Sequence, residues 1–227
     1  MKKIFKTAWL ITWKDLYSEW KTKQMISAML IFSALVIVAF SFAFDPANQT
    51  VKAVIPGLIW IITIFSGILG LNRSFIGEQM NGCLNGLIIA PIDPSSIYLG
   101  KLIANFILVA FMQIISVPLL FILFDFKLVG NLLMFIFILL LGTLGFLCVG
   151  TFLAALSVNA KSSEMLLPII LFPVASPVLI AGVQATKIVL MNAENISSVY
   201  SWINLIAAYD IVFFVLCFIL FEYILEV

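Results

Sequence analysis

The residues able to do chemistry in this sequence are few and far apart. Histidine is absent, which removes histidine-dependent metal sites and histidine general bases. Cys83, Cys148 and Cys217 form no Cys-x-x-Cys pair, and the last two sit in apolar stretches where cysteine behaves as a small hydrophobe. No glycine-rich phosphate loop ending in Gly-Lys-Ser/Thr occurs, so the chain offers ATP no P-loop of its own. No pair of facing polar catalytic groups is visible either, and the expectation is a non-catalytic chain without a metal site. One acid, Asp210, stands well inside an apolar run. An intramembrane carboxylate costs roughly 2.5–3.5 kcal/mol on insertion scales, so it must face protein or water rather than lipid. Two roles fit it: a proton relay or substrate contact, or a hydrogen bond to a neighbouring helix near the outer third of a bilayer.

Proline and glycine mark two further places. Pro168, Pro173 and Pro177 fall in one apolar run, where each removes a backbone donor and crowds the preceding turn. That helix is expected to be kinked or broken, either to line a pathway or as a packing device. Gly142, Gly145 and Gly150 share another run, where small residues let helices approach closely. Between residues 72 and 101 a polar stretch carries Arg73, Glu78, Gly82, Leu84 and Leu87, then Pro91, Asp93 and Pro94. Its middle has a short helical pattern that Pro91 should end.

These residues must be positioned by a membrane scaffold. The 227 residues are 64% hydrophobic and only 10% charged, far from the soluble norm. Six runs read as membrane helices: Met25–Phe44, Ala53–Leu71, Leu102–Phe124, Leu132–Val158, Met165–Thr186 and Val199–Phe221. Backbone in lipid must satisfy its own hydrogen bonds, and about 20 apolar residues suffice to cross. The first run is too long for a signal-peptide core and lacks a small-x-small cleavage site. Before it, Phe5, Trp9, Trp13, Leu16 and Trp20 make one helical stripe, flanked by Lys6, Lys14 and Lys21 on one side and Asp15 and Glu19 on the other. Residues 1–24 therefore read as an amphipathic helix lying in the interface. With residues 25–221 as six spans and 72–101 as the longest loop, residues 1–227 form a single all-α integral membrane domain.

Basic residues orient it. Lys2, Lys3, Lys6, Lys14, Lys21, Lys23, Arg73, Lys101 and Lys161 fall on one side, and Lys52, Lys127 and Lys187 on the other. The positive-inside rule puts the richer side, with both termini, in the cytoplasm. A net charge of +1 gives no reason to expect a nucleic-acid partner.

The pattern Glu78-x3-Gly82-x-Leu84-x6-Pro91 resembles the cytoplasmic coupling segment of ABC-2-type permeases, in which a short helix between the second and third spans fits a cleft on the ATPase subunit. The interfacial helix before the first span belongs to that architecture too. The resemblance sharpens to one family, the B subunit of the cytochrome c maturation haem exporter. It is carried by IPGLIW at Ile55–Trp60, LNRSF at Leu71–Phe75, Gly82-Cys83-Leu84, APID at Ala90–Asp93 and LGK at Leu99–Lys101. Further on, SEMLLP at Ser163–Pro168, Phe172-Pro173, PVLI at Pro177–Ile180 and FEYILE at Phe221–Glu226 extend it over nearly the whole chain. The motifs are moderately specific, and their order and spacing carry the case. Ile76, Gly77 and Asn85 leave the coupling segment less charged than the family pattern implies.

That resemblance implies a multi-pass inner-membrane permease whose ATP is hydrolysed in a separate A subunit, with two copies of each chain. It further implies a haem-handling C subunit, a small D subunit and, downstream, a periplasmic haem chaperone. Arg73, Glu78, Gly82, Leu84, Leu87 and Pro91 become the ATPase-coupling residues. Haem would be cargo rather than a resident cofactor: without histidine, only the weaker ligands Met, Tyr and Cys are on offer to iron. A second reading of the same sequence is an assembly subunit that converts ATP hydrolysis into release of a haem-loaded chaperone without carrying haem itself.

Overall fold

Apolar runs, capped where the chain turns, set the helices. The computed structural model describes residues 2–44, 49–80, 92–157, 163–191 and 197–225. Over these the chain is helical: α1 (Lys2–Thr22), α2 (Gln24–Ala43), the short α3 (Gln49–Lys52), α4 (Ile55–Met80), α5 (Pro94–Leu123), α6 (Leu132–Ser157), α7 (Ser163–Met191) and α8 (Ser197–Leu225). Six of them, α2 and α4 to α8, are long and apolar enough to cross a membrane. The chain is an all-α, multi-pass membrane protein.

Two spans start or stop elsewhere than the sequence suggests. Helix α4 continues past Leu71 to Met80, and α5 begins at Pro94 rather than Leu102. Arg73 and Glu78 are therefore helical, as are residues 94–101, so both ends of the loop expected over 72–101 belong to helices. The early start of α5 has a local cause. Asp93 Oδ1 accepts a hydrogen bond from the Ser95 amide at 3.0 Å, and Pro94 occupies the first turn, where its missing N–H costs nothing. Asn131 caps α6 in the same way, its Oδ1 accepting from Leu133 at 2.9 Å.

Helix α1 turns into α2 through Lys23, whose φ of 53° is left-handed. Lys23 offers no side-chain oxygen to the first amides of α2. Glu19, buried one turn earlier in α1, supplies it: Oε1 accepts from Met25 N at 2.8 Å and Ile26 N at 2.9 Å. An acid at a helix N-terminus also meets the positive end of its dipole.

Helix α6 forms the centre of the bundle, packed against α4, α5, α7 and α8. The peripheral α2 buries only Met29, Ser33 and Ile37, a stripe of period four facing α4 and α5. Its other apolar side chains, such as Leu35 and Phe42, point outward, as suits lipid. Helix α1 packs along α5 through Ala8 and Ile11, and turns Phe5, Trp9, Trp13 and Trp20 away from the bundle.

Helix α7 stays helical through Pro168, Pro173 and Pro177; it is not broken. The absent N–H of Pro177 frees the carbonyl of Pro173, and Ser176 Oγ donates to that oxygen at 2.8 Å. Helix α5 contains an interior proline too, Pro118, which the sequence reading passed over.

Candidate coupling site and intramembrane polar contacts

Lys101 organises the end of the bundle that carries α1. It lies about two turns into α5, and its relative exposure is 1%. Its ammonium meets Asp15 Oδ2 of α1 at 3.1 Å, donates to the Ser74 carbonyl of α4 at 3.0 Å and lies 5.2 Å from the Phe75 ring centre. A buried charge persists only when paired and hydrogen-bonded, and α1 and α4 supply that shell to the lysine of α5. Lys14 pairs with the other Asp15 oxygen at 3.0 Å, on the exposed side. Beside this cluster Thr12 Oγ1 lies 3.0 Å from the Gly100 carbonyl oxygen. A Cβ on Gly100 would come within 2.8 Å of the Ala8 carbonyl oxygen, so only glycine lets α1 lie this close to α5.

Of the residues read as ATPase-coupling, Arg73 is exposed on α4 next to Ser74, and Glu78 is in the last turns of α4. Gly82, Leu84, Leu87 and Pro91 lie outside the described residues. Arg73 thus precedes Ser74, a contact of Lys101, on the α4 stem that leads into this segment. Lys101 itself had been counted as a loop lysine and as the end of the LGK motif, and Asp15 only as a polar flank of α1. The Asp15–Glu19 spacing of four was the available signal, because it puts both acids on one helix face.

Within the spans, polar side chains pair across helices. Gln113 of α5 donates from Nε2 to Thr63 of α4 at 3.1 Å and to Thr143 of α6 at 2.9 Å. Ser116 donates to Ser33 of α2 at 2.9 Å, and Trp60 Nε1 to Thr186 of α7 at 3.0 Å. Such intramembrane bonds average only about 0.6 kcal/mol each. Their larger effect is registration, since a slid helix would strand a buried donor at about 1–3 kcal/mol. A water-sized cleft opens between α4 and α5 at Thr63, Met112, Gln113 and Ser116.

Asp210 sits near the middle of α8 and is buried against Gly145 of α6. Neither carboxylate oxygen has a hydrogen-bond partner among the described residues. Tyr209, next to Asp210 in α8, ties that helix to the proline-bearing α7, donating to the Val174 carbonyl at 3.1 Å. Cys148 and Cys217 are buried thiols, and among the described residues no three His, Cys, Asp or Glu side chains converge as metal ligands would. Lys101, Gln113, Ser116 and Trp60 thus each pair with a side chain of another helix, while Asp210 pairs with none among the described residues.

Comparison with known proteins finds relatives of one name. The chain is 28% identical over 158 residues to Heme exporter protein B of Rhodobacter capsulatus, covering 70% of this chain and 72% of the relative. It is 28% identical over 153 residues to the Pseudomonas aeruginosa protein of the same name, covering 67% and 68%. Over 97 residues it is 29% identical to that of Escherichia coli K12, covering 43% and 44%. The family model described as CcmB protein matches residues 6–225, so that from the interfacial helix to the last span this chain belongs to the CcmB protein family.

Proposed function

We propose that this chain is the transmembrane permease subunit of an ATP-driven haem-trafficking complex for c-type cytochrome biogenesis. The observation that carries this reading is the match to one family across residues 6–225, whose relatives bear the name heme exporter protein B. ATP is hydrolysed in a separate A subunit, two copies of which pair with two copies of this chain. A haem-handling C subunit and a small D subunit complete the complex, and a periplasmic haem chaperone takes its product. The chain, a single permease domain, sits in the inner membrane with both termini in the cytoplasm. The A subunit engages the stretch that follows α4, where Glu78, Gly82, Leu84, Leu87 and Pro91 fall, with Arg73 beside its stem. The twofold ends of that stretch, α4 and α5, are long rigid helices, which favours it as a place to receive a push.

Affinity purification of the full chain from membranes in mild detergent should bring down an ATP-hydrolysing subunit. A bulky residue at Gly82 would block close approach of a partner backbone. Gly82→Trp should therefore leave the chain inserted but separated from the ATPase, abolishing cytochrome c maturation. Normal co-purification and maturation in that variant would return the stretch to an ordinary solvated loop. Nucleotide-dependent haem movement in sealed vesicles completes the test. Its absence with the complex intact would point instead to a subunit that transmits motion without carrying haem.

A further inference from the structure

The contacts of Lys101 tie together three elements that have no covalent reason to move as one. Ser74 lies on α4 about two turns before Met80, and Lys101 lies on α5 about two turns after Pro94. The two stems of the intervening segment are thus bridged at equal depth by one ammonium. The same ammonium reaches outward to Asp15, on a helix that precedes the first span. Apolar packing of Ala8 and Ile11 against α5 is non-directional and would let α1 slide. The charged pair at 3.1 Å holds α1 close to α5, and the Thr12–Gly100 contact at 3.0 Å together with the Gly100 close approach fixes its register. Beyond Asp15, Glu19 fastens the end of α1 to the first amides of α2.

We propose that Lys101 is a positioning residue that makes α1 move with the coupling segment: its ammonium binds Asp15 of α1 to Ser74 of α4 at the root of α5, so that a displacement of the segment reaches the membrane interface through α1. This rests on the reading that an ATPase engages the segment. The aromatic side chains of α1, Phe5, Trp9, Trp13 and Trp20, all face away from the bundle. They are the part of the molecule that such a movement would drag through the headgroup layer.

The test uses the full complex with its ATPase, in nanodiscs. Cys83 is replaced by serine, since Cys148 and Cys217 are buried, and an environment-sensitive fluorophore is attached to Trp20→Cys. With the clamp intact, ATP should shift the emission. The double variant Asp15→Asn/Lys101→Met removes both charges and strands neither. It should retain the ATPase but lose at least five-fold of the ATP-dependent shift and at least ten-fold of cytochrome c maturation. A full shift in the double variant, or no shift with the clamp intact, overturns the proposal. Should the double variant fail to accumulate, Asp15→Asn/Lys101→Gln serves, because it leaves no buried charge and the two amides can hydrogen-bond to each other; it should at least halve the shift, and an undiminished shift overturns the proposal. The layers separate cleanly: an intact chain that recovers no ATPase sinks the underlying reading, whereas ATPase present without an α1 response sinks the clamp alone.

Discussion

Trp60 accounts for two glycines at once. Its indole lies between Gly142 of α6 and Gly182 of α7, against both, while Nε1 holds Thr186. A side chain at Gly142 would have to move a ring that is packed on two sides and tethered by a hydrogen bond. Gly142→Leu should therefore destabilise the protein by about 1–3 kcal/mol, the usual cost of overpacking, seen as a lower melting temperature in detergent. An unchanged melting temperature would show that the indole is not so confined. Asp210 carries the opposite expectation. A buried carboxylate without a partner gives nothing back for its desolvation, so Asp210→Ala should match or exceed the parent protein in thermal stability. A clear loss would reveal a partner for the carboxylate in the assembled protein. The close-packing role of the glycines could be read from small residues in an apolar run. What fills the space could not, since Trp60 is more than 80 positions from Gly142 and no local pattern joins them. Lys101 was hidden for the same reason: local sequence shows a lysine near a loop, and only the fold brings Asp15 to it.

At the level of elements, composition was enough to find the spans because lipid leaves the backbone few choices. Boundaries were harder. The polar residues Asn72, Arg73, Glu78 and Gln79 look like the start of a loop, yet α4 keeps its hydrogen-bond ladder through them, as any helix leaving a membrane for water can. The Asp93-Pro94-Ser95 sequence was a legible start signal for α5, although it was read as the end of a loop. Three prolines suggested a break in α7; a serine hydroxyl repairing one freed carbonyl is a tertiary detail that proline counting does not reach. The α1–α2 turn makes a test at this scale. Glu19→Ala would leave two half-buried amides of α2 without their shared acceptor, at about 0.5–2 kcal/mol, the usual cost of losing a helix N-cap. Faster amide hydrogen exchange should then appear at Met25 and Ile26 and die away within the first turns of α2. Unaltered exchange there would mean that the turn is held by packing alone.

For the whole molecule the open question is orientation, and the fold changes how the charges should be weighed. The positive-inside rule counts basic residues that must stay out of the membrane during insertion. Lys101 is poor support for it, being buried and paired with Asp15. Removing it from the count still leaves Lys2, Lys3, Lys6, Lys14, Lys21, Lys23, Arg73 and Lys161 against Lys52, Lys127 and Lys187. The three on the poorer side are also spread apart, Lys52 and Lys127 between spans and Lys187 in the last turns of α7, so no single connection there opposes translocation strongly. The six spans reverse direction at each crossing, which keeps α1 and the stretches after Met80 and Ser157 on one side. Fusions of a reporter active only in the periplasm, placed after Lys52, Lys127 and Asn192, should therefore be active. The same reporter after Leu84 and Lys161 should be silent, and a cytoplasm-active reporter should give the complementary pattern. Junctions after Lys101 and Lys187 are avoided, because both residues are inside helices and a cut there would remove part of a span. One fusion behaving like the opposite set would break the six-span alternation, and a wholesale inversion would place the coupling segment where no ATP-hydrolysing partner could reach it.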